Sequence, residues 1–280
     1  MTSRYQNISA ISDLGLADGT VAAVKAVATE NPEANWVDIT HEVKPFDISQ
    51  AGLLLTNAPP HLNPGIVLAL VDPAASRPVA IVVGDGESVL VGPDNGVLAP
   101  AVALVGGATS AFELSQKVET GQSRSVELYA RVAAQLVCGA ELSSLGTEID
   151  PVTLVPGILP VSESDADGSF AAQILMVDRF GNCHLNVDSE AIANLGNVQV
   201  KVGGQSHQAQ ACNSVVDVER KKLCVTAGSN GLAIIAVRQG SAADLLGLIG
   251  VDHSQVGVTI SAGESASEAA TSAVPVELKL

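Results

Sequence analysis

Apolar residues in the first half of the chain follow two alternating periods. Runs of strand length fall at residues 8–12, 36–40, 65–71, 78–84 and 88–92. Segments whose apolar residues recur with helical spacing fall at residues 19–30, 47–58 and 125–140. Strands that alternate with helices are typical of a layered α/β fold with a largely parallel sheet. We therefore predict an α/β N-terminal domain over residues 1–152.

The second half of the chain has a different pattern. Residues 153–169 are rich in Pro, Gly, Ser and Asp and lack helical periodicity, which is typical of a linker. Strand-like segments separated by Gly-rich turns follow at residues 170–178, 197–210, 222–228, 232–237 and 255–260. This series predicts a C-terminal all-β, barrel-like domain over residues 170–260. Residues 261–280 have few bulky side chains, so we predict a mobile tail, with its end, PVELKL, as a candidate last strand.

Net charge restricts the classes of partner. The 280-residue chain has 14 basic and 30 acidic side chains and a formal net charge of −16. This charge repels phosphate backbones and anionic lipid surfaces, so we expect neither nucleic acid nor a membrane as a partner. No apolar run approaches the roughly 18 residues of a membrane-spanning helix. Because the four cysteines are widely spaced and no signal segment is evident, we expect a cytoplasmic protein in a reducing compartment.

Polar residues directly follow several apolar runs of the first domain. They are Asp13, the segment Asp38–His41, Asp72 and the pair Asp94–Asn95. Taken singly, each is better explained as a strand end or a helix cap. Their recurrence favours a binding site, because ligands of a parallel sheet bind beyond the carboxyl ends of its strands. The five histidines are far apart in the sequence, so no metal site is expected.

Several blocks of sequence, in order, resemble the family of S-adenosyl-L-methionine hydroxide adenosyltransferases and the related adenosyl halogenases. In the first domain they are ISDLGLADGTVAAVKAV (11–27), VDITHEVKPFDISQAGLLL (37–55), GIVLALVDP (65–73) and VGPDNGVLAPA (91–101). In the second domain they are VDRFGNCHLNV (177–187) and AGSNGLAIIAVRQGSAADLLGL (227–248). The resemblance implies an α/β domain, a β-barrel and a homotrimer. It also implies adenosyl sites between the first domain of one subunit and the second domain of its neighbour.

The resemblance assigns binding roles to four residues. Asp13 matches the acidic residue that binds the ribose hydroxyls, and Asn182 matches the side chain that reads the adenine edge. Asp178 and Ser229 match positions near the amino-acid end of the ligand. The alternative for Asp13 is a helix cap, and the alternative for the other three is a turn residue. Asp94 and Asn95, in the GPDNG turn, are interpreted as scaffold for the pocket.

The family reaction is attack of water or hydroxide on the ribose 5′ carbon of S-adenosyl-L-methionine, which releases adenosine and methionine without a further cofactor. Family members use an Asp, an Arg and a His. Asp72 matches that Asp. Arg77 is the candidate for the Arg, although its loop is shorter than the glycine-rich loop of the family. The family's histidine segment corresponds to residues 123–127, which contain no histidine, and Arg124 or Ser125 lies nearest its place.

Three functions that involve an adenosyl ligand therefore remain open at this point, beside a structural role without a ligand in which the second domain mediates assembly. The first is hydrolysis of S-adenosyl-L-methionine, impaired by about 10²–10⁴ if the absent histidine serves as a base in the family. The second is a protein of the same fold that binds an adenosyl ligand without turnover. The third is halide-dependent adenosyl transfer, which ranks last because the extra loop of the halogenases has no counterpart between the GPDNG turn and the linker.

Overall fold

The structure, a computed structural model, describes residues 5–57, 63–74, 76–115, 124–157, 162–252 and 256–263. Two units, Met1–Leu159 and Pro160–Leu280, divide the chain. The first unit contains, in chain order, β1 (Asn7–Ser12), α1 (Thr20–Ala28), β2 (Asn35–Thr40), α2 (Ile48–Asn57), β3 (Ile66–Leu70), β4 (Pro78–Val83), β5 (Ser88–Pro93), α3 (Ala99–Leu104), β6 (Ser110–Leu114), α4 (Arg124–Val137), α5 (Leu142–Leu145) and β7 (Gly146–Ile149).

The second unit contains β8 (Phe170–Val177), β9 (Cys183–Asp188), α6 (Ser189–Ala193), β10 (Asn197–Val202), β11 (Gln205–Ala211), β12 (Leu223–Ala227), β13 (Leu232–Val237), α7 (Ala242–Leu245) and β14 (Gly257–Ala262). Single turns of 3-10 helix lie at Gly84–Gly86, Pro151–Thr153 and Val215–Asp217. The predicted mobile tail starts at residue 261, but residues 261 and 262 belong to β14 and pair with β10. The part of that tail from residue 264 onward, with its candidate last strand, lies outside the described residues.

The strands of the first unit form one sheet in the order β2-β1-β3-β5-β4-β6-β7. The run β2-β1-β3-β5 is parallel, and β4, β6 and β7 extend it with antiparallel pairs. The predicted α/β domain with a largely parallel sheet is confirmed. The apolar runs at residues 78–84 and 88–92 are the antiparallel neighbours β4 and β5, which a short Gly-rich turn joins without a crossover helix.

Helices cover both faces of this sheet. α1 and α4 pack together on one face, where Val24, Ala28 and Tyr129 bury their side chains against Ile8 and Leu68 of the strands. α2 and α3 cover the other face, with buried residues of both helices against alternate strand positions. Strands that are buried on both faces have continuous apolar sequences, so the apolar runs in the sequence located them.

The parallel register brings three strand ends to one edge. Ile11 pairs with Thr40 and Ser12 pairs with Leu70, so β1, β2 and β3 end side by side. Residues that follow these strands, Asp13 and Asp72 among them, therefore start from the same edge of the sheet. The residues that follow β1, β2 and β3 are therefore close in space although they are far apart in the sequence.

The second unit is a closed barrel in the order β10-β11-β12-β13-β9-β8-β14. β14 pairs with β10 and closes the barrel. β11 and β12 pair in parallel. Alternate side chains fill the interior, as Val198, Val200 and Val202 of β10 show. The predicted barrel is confirmed. Strands β6, β7 and β9 were not predicted, because each is short and carries polar residues between its apolar ones.

Candidate functional site

Asp13 lies directly after β1 and joins three segments of the first unit. Its Oδ2 accepts a hydrogen bond from the backbone N–H of Phe46 at 2.9 Å and another from the backbone N–H of Asp72 at 3.3 Å. Among the described residues, no donor contacts the second oxygen, Oδ1. One oxygen of the carboxylate therefore holds two loops in place.

Asp72 follows β3 in a left-handed backbone conformation, with φ of 46°. This conformation is uncommon for a residue with a side chain and costs about 1 kcal/mol or more, so neighbouring contacts must hold it. The N–H of Asp72 donates to Asp13, and Asn95 Nδ2 donates to the carbonyl of Val71 at 3.0 Å. Tyr129 Oη donates to the carbonyl of Pro73 at 3.4 Å. The backbone on both sides of Asp72 is thus held by side chains from other elements.

Arg77 makes several contacts with acidic and backbone groups. Its Nε lies 2.8 Å from Asp94 Oδ2, and its Nη1 lies 3.3 Å from Glu113 Oε2. Its Nη2 donates to the carbonyl of Thr153 at 2.8 Å. The hydrogen bond to Asp94 is the main reason that the pKa of Arg77 is raised. The structure connects Arg77 to Asp94 and Glu113, and the catalytic role suggested by the resemblance stays a prediction.

The GPDNG turn acts as scaffold, as interpreted from the sequence. Asp94 is buried and accepts hydrogen bonds from Arg77 and from the backbone N–H of Val155 at 2.8 Å. Asn95 donates to Val71 and accepts from the backbone N–H of Val97 at 3.2 Å. Both polar side chains are therefore committed to protein groups, and Asn95 supports the loop that carries Asp72.

Asp178 is the centre of a polar cluster in the turn between β8 and β9. Its Oδ1 accepts from the backbone N–H groups of Phe180 and Asn182 at 2.8 and 2.9 Å. Its Oδ2 accepts from Asn182 Nδ2 at 2.9 Å and lies 3.4 Å from His184 Nε2. Partial burial works to raise the pKa of Asp178, but the hydrogen bonds from Asn182, Phe180 and His184 outweigh it and lower the pKa. Asp178 is thus a carboxylate that orients the amide of Asn182.

Ser229 lies in the exposed turn between β12 and β13. The backbone closes this turn with a hydrogen bond from Gly228 N to Leu232 O at 2.7 Å. The neighbouring Asn230 accepts from Leu232 N at 3.2 Å, while its Nδ2 is buried without a hydrogen-bond partner among the described residues. The sequence analysis did not single out Asn230. The Ser-Asn-Gly pattern, which is typical of a turn, was the feature that could have drawn attention to it.

Phe46 is a second residue that sequence reasoning missed. Its side chain is 72% exposed, and its backbone has a φ of 66° and donates to Asp13. Phe180, whose backbone N–H donates to Asp178, is exposed as well, so Phe46 is one of two exposed phenylalanines. A single exposed apolar side chain is common on protein surfaces and does not by itself mark a site, so the backbone contact with Asp13 is the reason to name Phe46.

Within the first unit, the structure brings Asp13 and Asp72 together and places Arg77 with Asp94. Within the second unit, it joins Asp178 to Asn182. The side chains of Arg124 and Ser125 lie outside the described residues. No cluster of three or more His, Cys, Asp or Glu side chains suited to a metal ion occurs in the described part of the chain. None of the helices found in the described ranges is long and apolar enough to cross a lipid bilayer.

The fold and these residues define a class of two-domain proteins, in which an α/β domain with acidic residues at one sheet edge precedes a β-barrel. The chain belongs to the SAM hydroxide adenosyltransferase family: residues 8–146 match its N-terminal domain and residues 172–254 its C-terminal domain. The (R)-S-adenosyl-L-methionine hydrolase of Salinispora tropica is 38% identical over 258 residues, which cover 89% of this chain and 97% of that protein.

Two further similarities extend over most of the chain. The (R)-S-adenosyl-L-methionine hydrolase of Thermus thermophilus is 32% identical over 252 residues, which cover 85% of this chain and 94% of that protein. The crystal structure of an uncharacterized conserved protein from Thermotoga maritima superposes with a TM-score of 0.78 at 26% identity and covers 90% of this chain and 99% of that one. The resemblance drawn from the sequence motifs is therefore confirmed.

Proposed function

We propose that this protein is an enzyme that hydrolyses S-adenosyl-L-methionine to adenosine and L-methionine. The observation that carries the proposal is the hydrogen bond between the carboxylate of Asp13 and the backbone of Asp72, within a chain of this family. It joins a candidate ribose-binding group to a candidate water-binding group at one sheet edge. Two relatives are named (R)-S-adenosyl-L-methionine hydrolase, and the match to this chain covers more than nine-tenths of each of them.

In this proposal, Asp13 binds the ribose. A carboxylate oxygen accepts two hydrogen bonds, so Oδ1 can accept from both neighbouring hydroxyls of a ribose ring. The two backbone N–H groups on Oδ2 hold the carboxylate still, which limits the entropy lost when the sugar binds. The exposed ring of Phe46 lies on the next loop and offers an apolar surface to the same ligand.

Asp72 orients the attacking water. The oxygen of this water forms a bond to C5′ while the bond between C5′ and sulfur breaks and its electron pair goes to sulfur. Methionine leaves as a neutral thioether, so the reaction needs no general acid. The water must lose a proton, and the carboxylate of Asp72 accepts a hydrogen bond from it and takes the proton or passes it to solvent.

The second unit supplies recognition of the rest of the ligand. Asn182, held by Asp178, reads the adenine edge, because an amide both donates and accepts hydrogen bonds. Asp178 and Ser229 lie near the amino-acid end of the ligand. We propose a homotrimer in which these residues of one subunit complete the site formed by Asp13 and Asp72 of its neighbour.

Residues 123–127 lack the family histidine, and this lowers the rate of hydrolysis that we propose. Asp72 then handles the proton without an imidazole, and Arg77, which is paired with Asp94 and Glu113, supports the adjoining loop. We therefore propose slow turnover with intact binding. S-adenosyl-L-methionine is the substrate in this proposal, and the reaction uses no cofactor.

Product analysis tests the proposal. Purified protein is incubated with (R)-S-adenosyl-L-methionine, and adenosine and methionine are separated by chromatography. We expect equal amounts of both products and a loss of at least about 10²-fold in Asp72→Asn, which keeps the size of the side chain but removes its charge. Glu148→Gln, which removes an exposed carboxylate of β7, is the matched control and should leave the rate unchanged.

Adenosine binding by calorimetry separates binding from chemistry. Asp72→Asn should bind adenosine as tightly as the unsubstituted protein does. Saturable binding without product in the unsubstituted protein would instead favour the non-catalytic binding protein. Product formation that requires fluoride or chloride would favour halide transfer.

A further inference from the structure

Ser12, His41 and Asp38 form a chain of hydrogen bonds behind Asp13. Ser12 Oγ lies 2.7 Å from His41 Nδ1, and His41 Nε2 lies 3.0 Å from Asp38 Oδ1. Ser12 is completely buried and His41 is 5% exposed, whereas the side chain of Asp38 is half-exposed. The chain of bonds therefore leads from the surface at β2 to the residue that immediately precedes Asp13.

The carboxylate of Asp38 gives the hydrogen bond at His41 Nε2 one direction. A carboxylate only accepts, so His41 Nε2 carries the proton that points to Asp38. In a neutral ring Nδ1 is then an acceptor, and the hydroxyl of Ser12 donates to it. The oxygen of Ser12 still accepts from the backbone N–H of Leu14 at 3.4 Å. Because each donor has its acceptor, the Ser12 side chain is held in a single orientation.

Asp38 anchors the outer end of this chain. Partial burial works to raise the pKa of Asp38, but hydrogen bonds from His41 and Trp36 and the charge of Lys25 lower the pKa overall. Lys25 Nζ lies 3.4 Å from Asp38 Oδ2, and the Trp36 indole N–H donates to Oδ1. Asp38 is therefore ionised at neutral pH and remains an acceptor for His41.

Backbone hydrogen bonds tie the Asp13 loop to the same segment. The N–H of Gly15 donates to the carbonyl of His41 at 2.8 Å, and the N–H of Val43 donates to the carbonyl of Ser12 at 3.3 Å. The residues on both sides of Asp13 are thus attached to residues 41–43. These bonds fix the backbone of Asp13, while the two N–H groups on Oδ2 fix its carboxylate.

Ser, His and Asp side chains are also the components of a nucleophilic triad. Here the serine has no exposed surface, so a substrate cannot reach its oxygen. The aspartate is at the exposed end and the serine at the buried end, which is the reverse of what attack on a bound substrate requires. The arrangement is suited to holding a loop.

We propose that His41 is a positioning residue, which acts through Ser12 to hold Asp13 in the orientation that binds the ribose hydroxyls. This inference rests on the proposed function, which assigns the ribose to Asp13. Without His41 the Asp13 loop samples other orientations. Binding of an adenosyl ligand then includes the free-energy cost of ordering this loop, which weakens the affinity. The expected effect is weaker binding, with little change in the bond-breaking step.

Two substitutions test the role of the imidazole and the hydroxyl. His41→Ala and Ser12→Ala should raise the Kd for adenosine, measured by calorimetry, and the KM for S-adenosyl-L-methionine by about 5-fold, the effect of losing one neutral hydrogen bond. The value of kcat should change by less than about threefold, because contacts at C5′ are retained. A fall in kcat at unchanged KM and Kd would overturn the proposal.

Conservative variants separate positioning from general damage. His41→Asn places an amide near the position of Nδ1, and Ser12→Thr keeps the hydroxyl, so both should restore most of the affinity. Ser9→Ala removes another buried hydroxyl of β1 that lies outside this chain of bonds, and it should leave the Kd and KM unchanged. If Ser9→Ala weakens binding as much as Ser12→Ala does, the effect is general and the proposal is wrong.

A double-mutant cycle connects His41 to Asp13. In an Asp13→Ala background, His41→Ala should raise the Kd by less than about twofold, since its effect is transmitted through a side chain that is no longer present. Equal factors in the two backgrounds would overturn the proposal. If His41→Ala does not fold, Ser12→Ala, which removes a single hydroxyl, completes the same cycle. Unchanged binding in Asp13→Ala alone would contradict the proposed function instead, so the two failures are distinguishable.

Discussion

The backbone N–H of Asp72 lies 3.3 Å from Oδ2 of Asp13, although the two residues are 59 positions apart in the sequence. One oxygen of Asp13 thereby holds the loop on which Asp72 sits. The same oxygen accepts from Phe46, so a single carboxylate joins the ends of β1 and β3 to the segment before α2. Four predictions follow, three from the first unit and one from the Asp178 cluster of the second unit.

The left-handed backbone of Asp72 predicts how two substitutions differ. Asn tolerates this conformation and Ala does not, so Asp72→Ala should lower the free energy of unfolding by about 1 kcal/mol more than Asp72→Asn does. Both variants should lose turnover. Urea unfolding followed by circular dichroism measures the difference. Equal stability of the two variants would contradict the backbone conformation described for Asp72.

The two tyrosines of the chain provide a matched pair. Tyr129 donates to Pro73 beside Asp72, and Tyr5 donates to the carbonyl of Gly86 at 2.9 Å. Tyr129→Phe and Tyr5→Phe should each lower the free energy of unfolding by about 1 kcal/mol. Of the two variants, only Tyr129→Phe should also lower kcat, because the Tyr129 bond supports the Asp72 loop and the Tyr5 bond does not. Equal effects on kcat would show that Tyr129 does not position this loop.

Arg77 should contribute to stability through Asp94. Asp94 is buried, so Arg77→Met leaves a buried carboxylate without its partner and should lower the free energy of unfolding by about 2–3 kcal/mol. The double variant Arg77→Met/Asp94→Asn should recover part of this loss. Thermal unfolding measures the stability, and adenosine release measures activity. If activity disappears in the double variant while stability recovers, Arg77 also serves the reaction directly.

The Asp178 cluster predicts a pH dependence of stability. Hydrogen bonds lower the folded-state pKa of Asp178 below its ordinary value of 3.8, against the effect of burial, so its contribution to stability is present above that pH. The contribution is lost as the pH falls through the folded-state pKa. The difference in free energy of unfolding between the unsubstituted protein and Asp178→Asn should therefore shrink below about pH 4. Urea unfolding at pH 6 and at pH 3 measures it, and a constant difference would contradict the predicted protonation.

The predictions about the fold that succeeded depend on local patterns. Apolar runs located the buried strands, because strands covered on both faces must be apolar throughout. The helical spacing of Val21, Val24 and Ala28 marked the face of α1 that is buried. The short strand β7, with two exposed residues in its middle, had no such pattern and was missed.

Part of the candidate site was also visible in the sequence. Asp13 and Asp72 follow apolar runs, and parallel strands end at one edge, so the sequence predicts that the two residues lie close together. The family motifs added the roles proposed for Asn182 and Ser229. The partners of Arg77 were not expected, since Asp94, Glu113 and Thr153 come from three later parts of the chain.

The sequence by itself determined the α/β and barrel domains, the family and the strand ends at which acidic residues lie. Only the tertiary structure decided which side chains meet. Ser12 contacts His41 beyond a shift in the register between β1 and β2 after Ala10, and the hydrophobic spacing of the two strands does not predict such a shift. Hydrophobic periodicity depends on neighbours along the chain, whereas these contacts depend on strand order and register, which are set by the packing of the whole sheet.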